Sequence, residues 1–197
     1  MCLVSDEEAL GQLLTTFHTS AWRLEALDRY LSPGEEAGLA AFLRGDPCPP
    51  TDPELEAWLA ALRALPSQGR YLGRVHAIVG SLTPYLRYEI EWGYAPMADA
   101  GEDIRILHRK AWADTPFGRQ PPDFWLIDDS VAVMNYDGDG RWLGMDLVSE
   151  PNDVAPYRSL HDLAVRHAVP LGEYLAAMRA APLDPSGMPR EPGTRIA

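Results

Sequence analysis

The stretch from Asp123 to Val148, DFWLIDDSVAVMNYDGDGRWLGMDLV, restricts the fold more than any other part of the chain. Runs of bulky aliphatic and aromatic residues, Phe124 to Ile127, Val131 to Tyr136 and Arg141 to Val148, are separated by Asp128-Asp129-Ser130 and by Asp137-Gly138-Asp139-Gly140. Such runs bounded by Asp/Gly clusters read as strands joined by tight turns. Asp-Gly is the preferred pair of a type I′ turn, in which both central residues take positive φ. Two consecutive antiparallel hairpins are therefore expected.

Upstream, helical periodicity dominates. Ser5-Asp6-Glu7-Glu8 forms a capping box ahead of Leu10, Leu13, Leu14 and Phe17, which share one helical face. Ala21 to Tyr30 alternates for part of its length and reads as a short strand, with helix as the competing assignment. Ser32-Pro33 opens a helix through Phe42, with Gly45 beyond its end. Asp52-Pro53 pairs an N-cap with proline at N1 and starts a helix to about Leu65. Arg70 to Gly80 reads as a strand, Pro84 to Tyr94 as a helix ended by Ala95-Pro96, and Asp103 to His108 as another strand. Asn152 to Arg166 and Leu171 to Ala180 complete the helices. The fold class is α+β: a mixed, largely antiparallel sheet of about five strands with one βαβ unit, helices on one side and an N-terminal helical region. Expected boundaries are 1–66 for that mainly helical region, 67–181 for the sheet domain and 182–197 for a disordered Pro/Gly-rich tail.

A net charge of −12 over 197 residues, pI near 4.7, argues against a general nucleic-acid surface, so no direct nucleic-acid contact is expected. Two cysteines, Cys2 and Cys48, make no disulfide framework or metal spacing. The sequence has no signal peptide and no apolar run of membrane-spanning length, so a cytoplasmic location without membrane association is expected.

Asp123, Asp128, Asp129, Asp137, Asp139 and Asp146 cluster around the hairpins. A divalent-cation site and plain turn chemistry both use such residues, and the missing EF-hand spacing favours turns. His18, His76, His108, His161 and His167 show no zinc-type spacing, so no metal and no cofactor is expected. Arg23, Glu25, Arg74, Arg87, Glu89, Glu102, Asp103 and Arg105 lie on or beside elements whose other faces look buried. Charges there must pair or face a cleft. The candidate site for a ligand or partner is accordingly Arg23, Glu25, Arg74, Arg87, Glu89, Glu102, Arg105, Asp123 and Trp125. The competing reading is a structural ion-pair network. Phosphate loops, nucleophile elbows and Walker patterns are missing from the sequence, so catalytic residues stay unassigned.

Two resemblances add to this. His108-Arg109-Lys110 with Asp114 partly resembles the HxK…D signature of phospholipase D enzymes, with one residue too few before the Asp and no following Gly-Ser run. The order of elements around it also resembles a half-domain of that superfamily, which implies a degenerate relative at most. Phe17-His-Thr-Ser-Ala-Trp-Arg-Leu-Glu, Arg74-Val, Thr83-Pro-Tyr-Leu-Arg-Tyr-Glu, Ala100-Gly-Glu-Asp-Ile-Arg, Asp123-Phe-Trp-Leu-Ile-Asp-Asp and Asn135-Tyr-Asp-Gly-Asp-Gly-Arg resemble the uncharacterised actinobacterial family DUF6879. That resemblance implies a regulatory protein partner, an XRE-type helix-turn-helix regulator, and brings no catalytic residues. The expected function is a non-enzymatic regulatory or accessory protein acting through protein contact. The alternative is an enzyme or small-ligand sensor with a polar cleft between the N-terminal helices and the sheet.

Overall fold

The computed structural model describes residues 3–4, 7–32, 34–78, 82–108 and 121–180. Strand β1 (Leu3–Val4) and helix α1 (Glu7–Thr16) lead to β2 (Ser20–Glu25), then α2 (Glu35–Leu43), α3 (Pro53–Ala64) and β3 (Tyr71–Ile78). A continuous helical stretch follows: α4 (Pro84–Tyr88), a π-turn (Glu89–Tyr94) and α5 (Ala95–Asp99). It ends at β4 (Asp103–His108). The hairpin strands β5 (Phe124–Ile127), β6 (Ser130–Tyr136) and β7 (Trp142–Val148) precede α6 (Pro151–His167), β8 (Val169–Pro170) and α7 (Leu171–Ala180). Among the described residues all strands join one sheet in the order β1-β7-β6-β5-β2-β3-β4-β8.

The class is the expected α+β, with differences in detail. The sheet has eight strands rather than about five; the two-residue β1 and β8 are too short to leave a periodic signal. β2 pairs β3 in parallel, and β3 pairs β4 in parallel. Among the described residues there are thus two βαβ crossovers, not one: β2 to β3 through α2 and α3, and β3 to β4 through the α4–α5 stretch. Helices cover both faces, not one. Trp22, Leu24, Val75, Phe124 and Val131 pack against Val154, Leu160 and Ala164 of α6. Ala21, Leu72, Trp125, Ile127 and Met134 face the other way, toward Phe17 and toward Leu59 and Leu62 of α3. The period-2 alternation of each strand produces this division.

The turns depart from type I′. In the first, only Asp128 takes positive φ, at 49°. Its carboxylate explains this, accepting from the backbone N–H of His18 (2.8 Å), Thr19 (2.8 Å) and Ser20 (3.1 Å) and from the Thr19 hydroxyl. In the second, Gly140 N–H donates to the Asp137 carbonyl and Gly140 takes φ 88°, so the turn closes on a glycine bulge. The Asp137 carboxylate accepts from Asp139 and Arg141 N–H. Asp128 and Asp137 thus serve the turns.

The expected caps form: Asp52 accepts from Leu55 N–H at 2.8 Å and Thr83 from Leu86 N–H at 3.1 Å. The helix from Pro84 does not stop at Ala95-Pro96 but continues to Asp99. Pro96 has no N–H for the Trp92 carbonyl, and the ladder accommodates it by widening into the π-turn just before it. The His108…Asp114 run and the C-terminal tail lie wholly or largely outside the described residues.

Candidate functional site

The parallel register of β2 and β3 sets Arg23 beside Arg74 and Glu25 beside His76 on one face of the sheet. Adjacent guanidinia repel, so the pair needs interleaved carboxylates, and three supply them. Glu25 Oε1 lies 3.3 Å from Arg23 Nε and 3.3 Å from an Arg74 terminal nitrogen. Arg74 Nε donates to Glu102, just before β4, at 2.6 Å. Arg23 donates to Asp123, just before β5, at 3.2 Å and to the Tyr136 hydroxyl at 2.7 Å. Asp123 also accepts from Ala26 N–H at 3.2 Å and from the Tyr30 hydroxyl. Aromatic faces complete the bed: Arg23 lies 5.5 Å from both the Tyr30 and the Trp125 ring centres, and Arg74 lies 5.1 Å from that of Tyr94.

Burial would raise the Glu25 carboxyl, but Arg74, then Arg23, overcome it and hold it well below the usual carboxylate range. Burial pushes Asp123 up, and Arg23 offsets part of that. Burial lowers His76 despite the nearby Glu25, which keeps the imidazole neutral. Glu89 is pushed far up by burial and by the repulsion of Glu25.

Above this bed opens a cavity of about 530 Å³, walled by α1, the loop after β2, and the α4–π stretch. Arg23, Glu25, Arg74 and Glu89 face it together with Tyr30, Tyr85, Tyr88, Tyr94, Tyr136, Trp142, Met97 and Met134. It stands over Arg23 and Glu25 in the second half of β2 and over Arg74 in β3. A volume of this size suits a small molecule.

Of the residues expected from sequence, Arg23, Glu25, Arg74 and Glu89 meet at this cavity, with Glu102, Asp123 and Trp125 directly behind them. Arg87 is elsewhere, lining a separate hollow with Cys48, Glu91 and Trp92. Arg105 lies in alternation with Ile104 and Ile106, directed away from the cavity, and pairs with Asp103 at 3.0 Å. Sequence reasoning missed His76 as a site member, although it stands two residues after Arg74 on a strand and must share its face. It also missed Tyr30, Tyr94 and Glu35, which reach the cavity from a loop, a π-turn and α2.

No curated protein matches the chain. Among solved structures it is similar to TrmBL2, described as an archaeal chromatin protein with a novel mode of DNA binding. Identity is 10%, TM-score 0.43, and the match covers 85% of this chain and 52% of that one. The chain thus spans about half the length of that protein. The expectation of no direct nucleic-acid contact is withdrawn, since it rested on net charge, which describes a whole chain and not one face of it. A likeness this distant carries no argument about what this chain binds. Among the described residues no helix is long and apolar enough to cross a membrane. A domain of unknown function, DUF6879, matches residues 8–176, and the chain belongs to that family.

Proposed function

We propose that the chain is a ligand-binding module, and that the cavity over β2 and β3 takes a small polar molecule. The observation that supports this best is the cavity floor. Arg23, Glu25 and Arg74 are fixed by ion pairs on their inner sides yet still border an open space of about 530 Å³. A network serving structure alone is better sealed by apolar side chains. Here the desolvation of the charged groups is met by Asp123 and Glu102, so a ligand meets preset donors and acceptors. The tyrosine walls offer hydroxyls for hydrogen bonds and ring faces for stacking.

The test uses Gly93, which lines the cavity. A β-carbon at that position would meet only Glu89 Cγ within 4 Å, at 3.8 Å. Gly93→Leu therefore starts its side chain into the space from a β-carbon that clears the fold. Thermal-shift screening of amino acids, polyamines, nucleosides and sugar phosphates, followed by calorimetry, should give a ligand for the native chain. That ligand should lose binding to Gly93→Leu while the melting temperature of the unliganded variant is retained. A ligand bound equally by both chains, or a screen without a hit, would reject the cavity as the site. Recovery of the ligand in altered form would replace binding with turnover.

A further inference from the structure

Beneath the cavity, three atoms of metal-ligating type converge from three elements. They are Nδ1 of His76 on β3, a carboxylate oxygen of Glu25 at the end of β2, and one of Glu89 at the start of the π-turn. All lie within 4.8 Å of one another. Nδ1 stands 3.8 Å from Glu25 Oε2 and 3.4 Å from Glu89 Oε2.

The hydrogen-bond arithmetic of the cluster does not close. His76 Nε2 is 2.8 Å from the Leu27 carbonyl, which can only accept, so Nε2 carries the ring proton. Nδ1 then faces the carboxyl groups of Glu25 and Glu89. The donor between them is the Tyr94 hydroxyl, 2.7 Å from Nδ1 and 2.5 Å from Glu25 Oε2, with one hydrogen for two acceptors. Glu89 Oε2 is buried and receives no donor. Arg23 pairs with Asp123 and Arg74 with Glu102, and both also reach Glu25. Among the described residues no arginine lies within ion-pair distance of Glu89, whose near neighbour is His76.

We propose that His76, Glu25 and Glu89 bind a divalent transition-metal ion, with the Tyr94 oxygen adjacent as a fourth donor. Ligands each 2.0–2.2 Å from a zinc-like ion stand roughly 3–4 Å apart, as His76 Nδ1 does from each of the two glutamates. One imidazole with two carboxylates suits zinc, manganese or iron better than magnesium. The surroundings are those of a ligand shell. The Leu27 carbonyl anchors the far nitrogen of His76, as metal-bound imidazoles require. Arg23 and Arg74 hold Glu25 chiefly through Oε1, whereas Oε2 accepts from the Tyr94 hydroxyl and takes one long Arg74 contact at 3.4 Å, so it faces the proposed ion beside Tyr94. The π-turn completes the set. Glu89 and Tyr94 are five residues apart and would diverge by about 140° on an α-helix, whereas the i→i+5 turn brings both toward His76.

The test begins with the full chain stripped by a chelator and dialysed, titrated with Zn²⁺ by calorimetry and with Co²⁺ by visible absorption. One equivalent should bind, raise the melting temperature, and give Co²⁺ the intense bands of a low-symmetry nitrogen–oxygen site. Glu89→Gln keeps the shape and should leave the metal-free chain at least as stable as wild type. Its metal affinity should fall about tenfold or more, and His76→Gln should show the same loss. A folded wild-type chain that takes up neither ion would overturn the proposal, as would Glu89→Gln binding like wild type, which would put the ion elsewhere. No organic ligand is present in this titration, so its failure leaves the small-molecule reading untouched.

Discussion

Arg74→Met tests whether the charges under the cavity are held by one another. Arg74 donates to Glu102 at 2.6 Å and reaches both oxygens of Glu25 at 3.3 and 3.4 Å. The Glu102 side chain is fully buried, and its second oxygen has no donor. Methionine replaces most of the arginine stem, so little packing is lost, but Glu102 is left in the interior without a cation. Glu25 still has Arg23 and Tyr94. Breaking one side of a buried pair costs about 3–5 kcal/mol, a large share of the 5–15 kcal/mol typical of a domain. With a urea slope of about 2 kcal/mol per molar, the unfolding midpoint should fall by about 2 M. The double variant Arg74→Met/Glu102→Leu removes both charges and should recover much of the loss. The assay is urea unfolding at neutral pH followed by circular dichroism on the wild type, the single variants Arg74→Met and Glu102→Leu, and the double variant. A single-variant loss below about 1 kcal/mol, or two losses that simply add, would show that water reaches these groups and that the ion bed is not a closed unit.

Three further outcomes follow from local geometry. Hydrogen bonds from three backbone N–H groups and a hydroxyl hold the Asp128 carboxyl far below its ordinary value. A depressed acid contributes stability above its unfolded value of about 3.9 and loses it as pH falls further. Asp128→Asn should therefore cost about 1 kcal/mol at pH 7, allowing for its solvent contact, and the difference from wild type should vanish in strongly acidic urea titrations. Gly140→Ala places a carbon 2.5 Å from the Arg29 carbonyl at a residue with φ 88°; a loss of about 2–4 kcal/mol is expected by thermal unfolding. Thr83→Ala removes the cap of the helix that carries Glu89 and should cost about 1 kcal/mol in the same assay.

The hairpins, the caps and the central strands were legible because each rests on neighbours in sequence. Phe124–Ile127 is apolar on both faces because both faces are covered, and Asp52-Pro53 signals its helix within two residues. What escaped depends on distant partners. β1 and β8 exist only because β7 and β4 offer them an edge. Arg87 and Arg105 looked equivalent to Arg23 and Arg74, since charge alone does not say which face of an element a side chain takes. On β4 the alternation itself decides it: Ile104 and Ile106 point to the cavity layer, so Arg105 cannot.

The register of β2 ties these threads together. Moving it by one residue against β3 and β5 would turn Trp22 and Leu24 toward the cavity and drive Arg23 and Glu25 into the apolar layer under α6. The same slip would separate Arg23 from Asp123 and Glu25 from Arg74. The apolar layer and the ion bed therefore select one alignment from opposite sides of the sheet. Charged residues at this depth act against stability when taken singly. They narrow the alternatives for a strand whose neighbours are parallel on one side and antiparallel on the other. A chain that needed only the alignment could obtain it from apolar side chains at Arg23, Glu25 and Arg74. Keeping guanidinium and carboxylate groups there, with an open space above them and an unsatisfied Glu89 oxygen at its edge, is what a recognition site requires and a core does not.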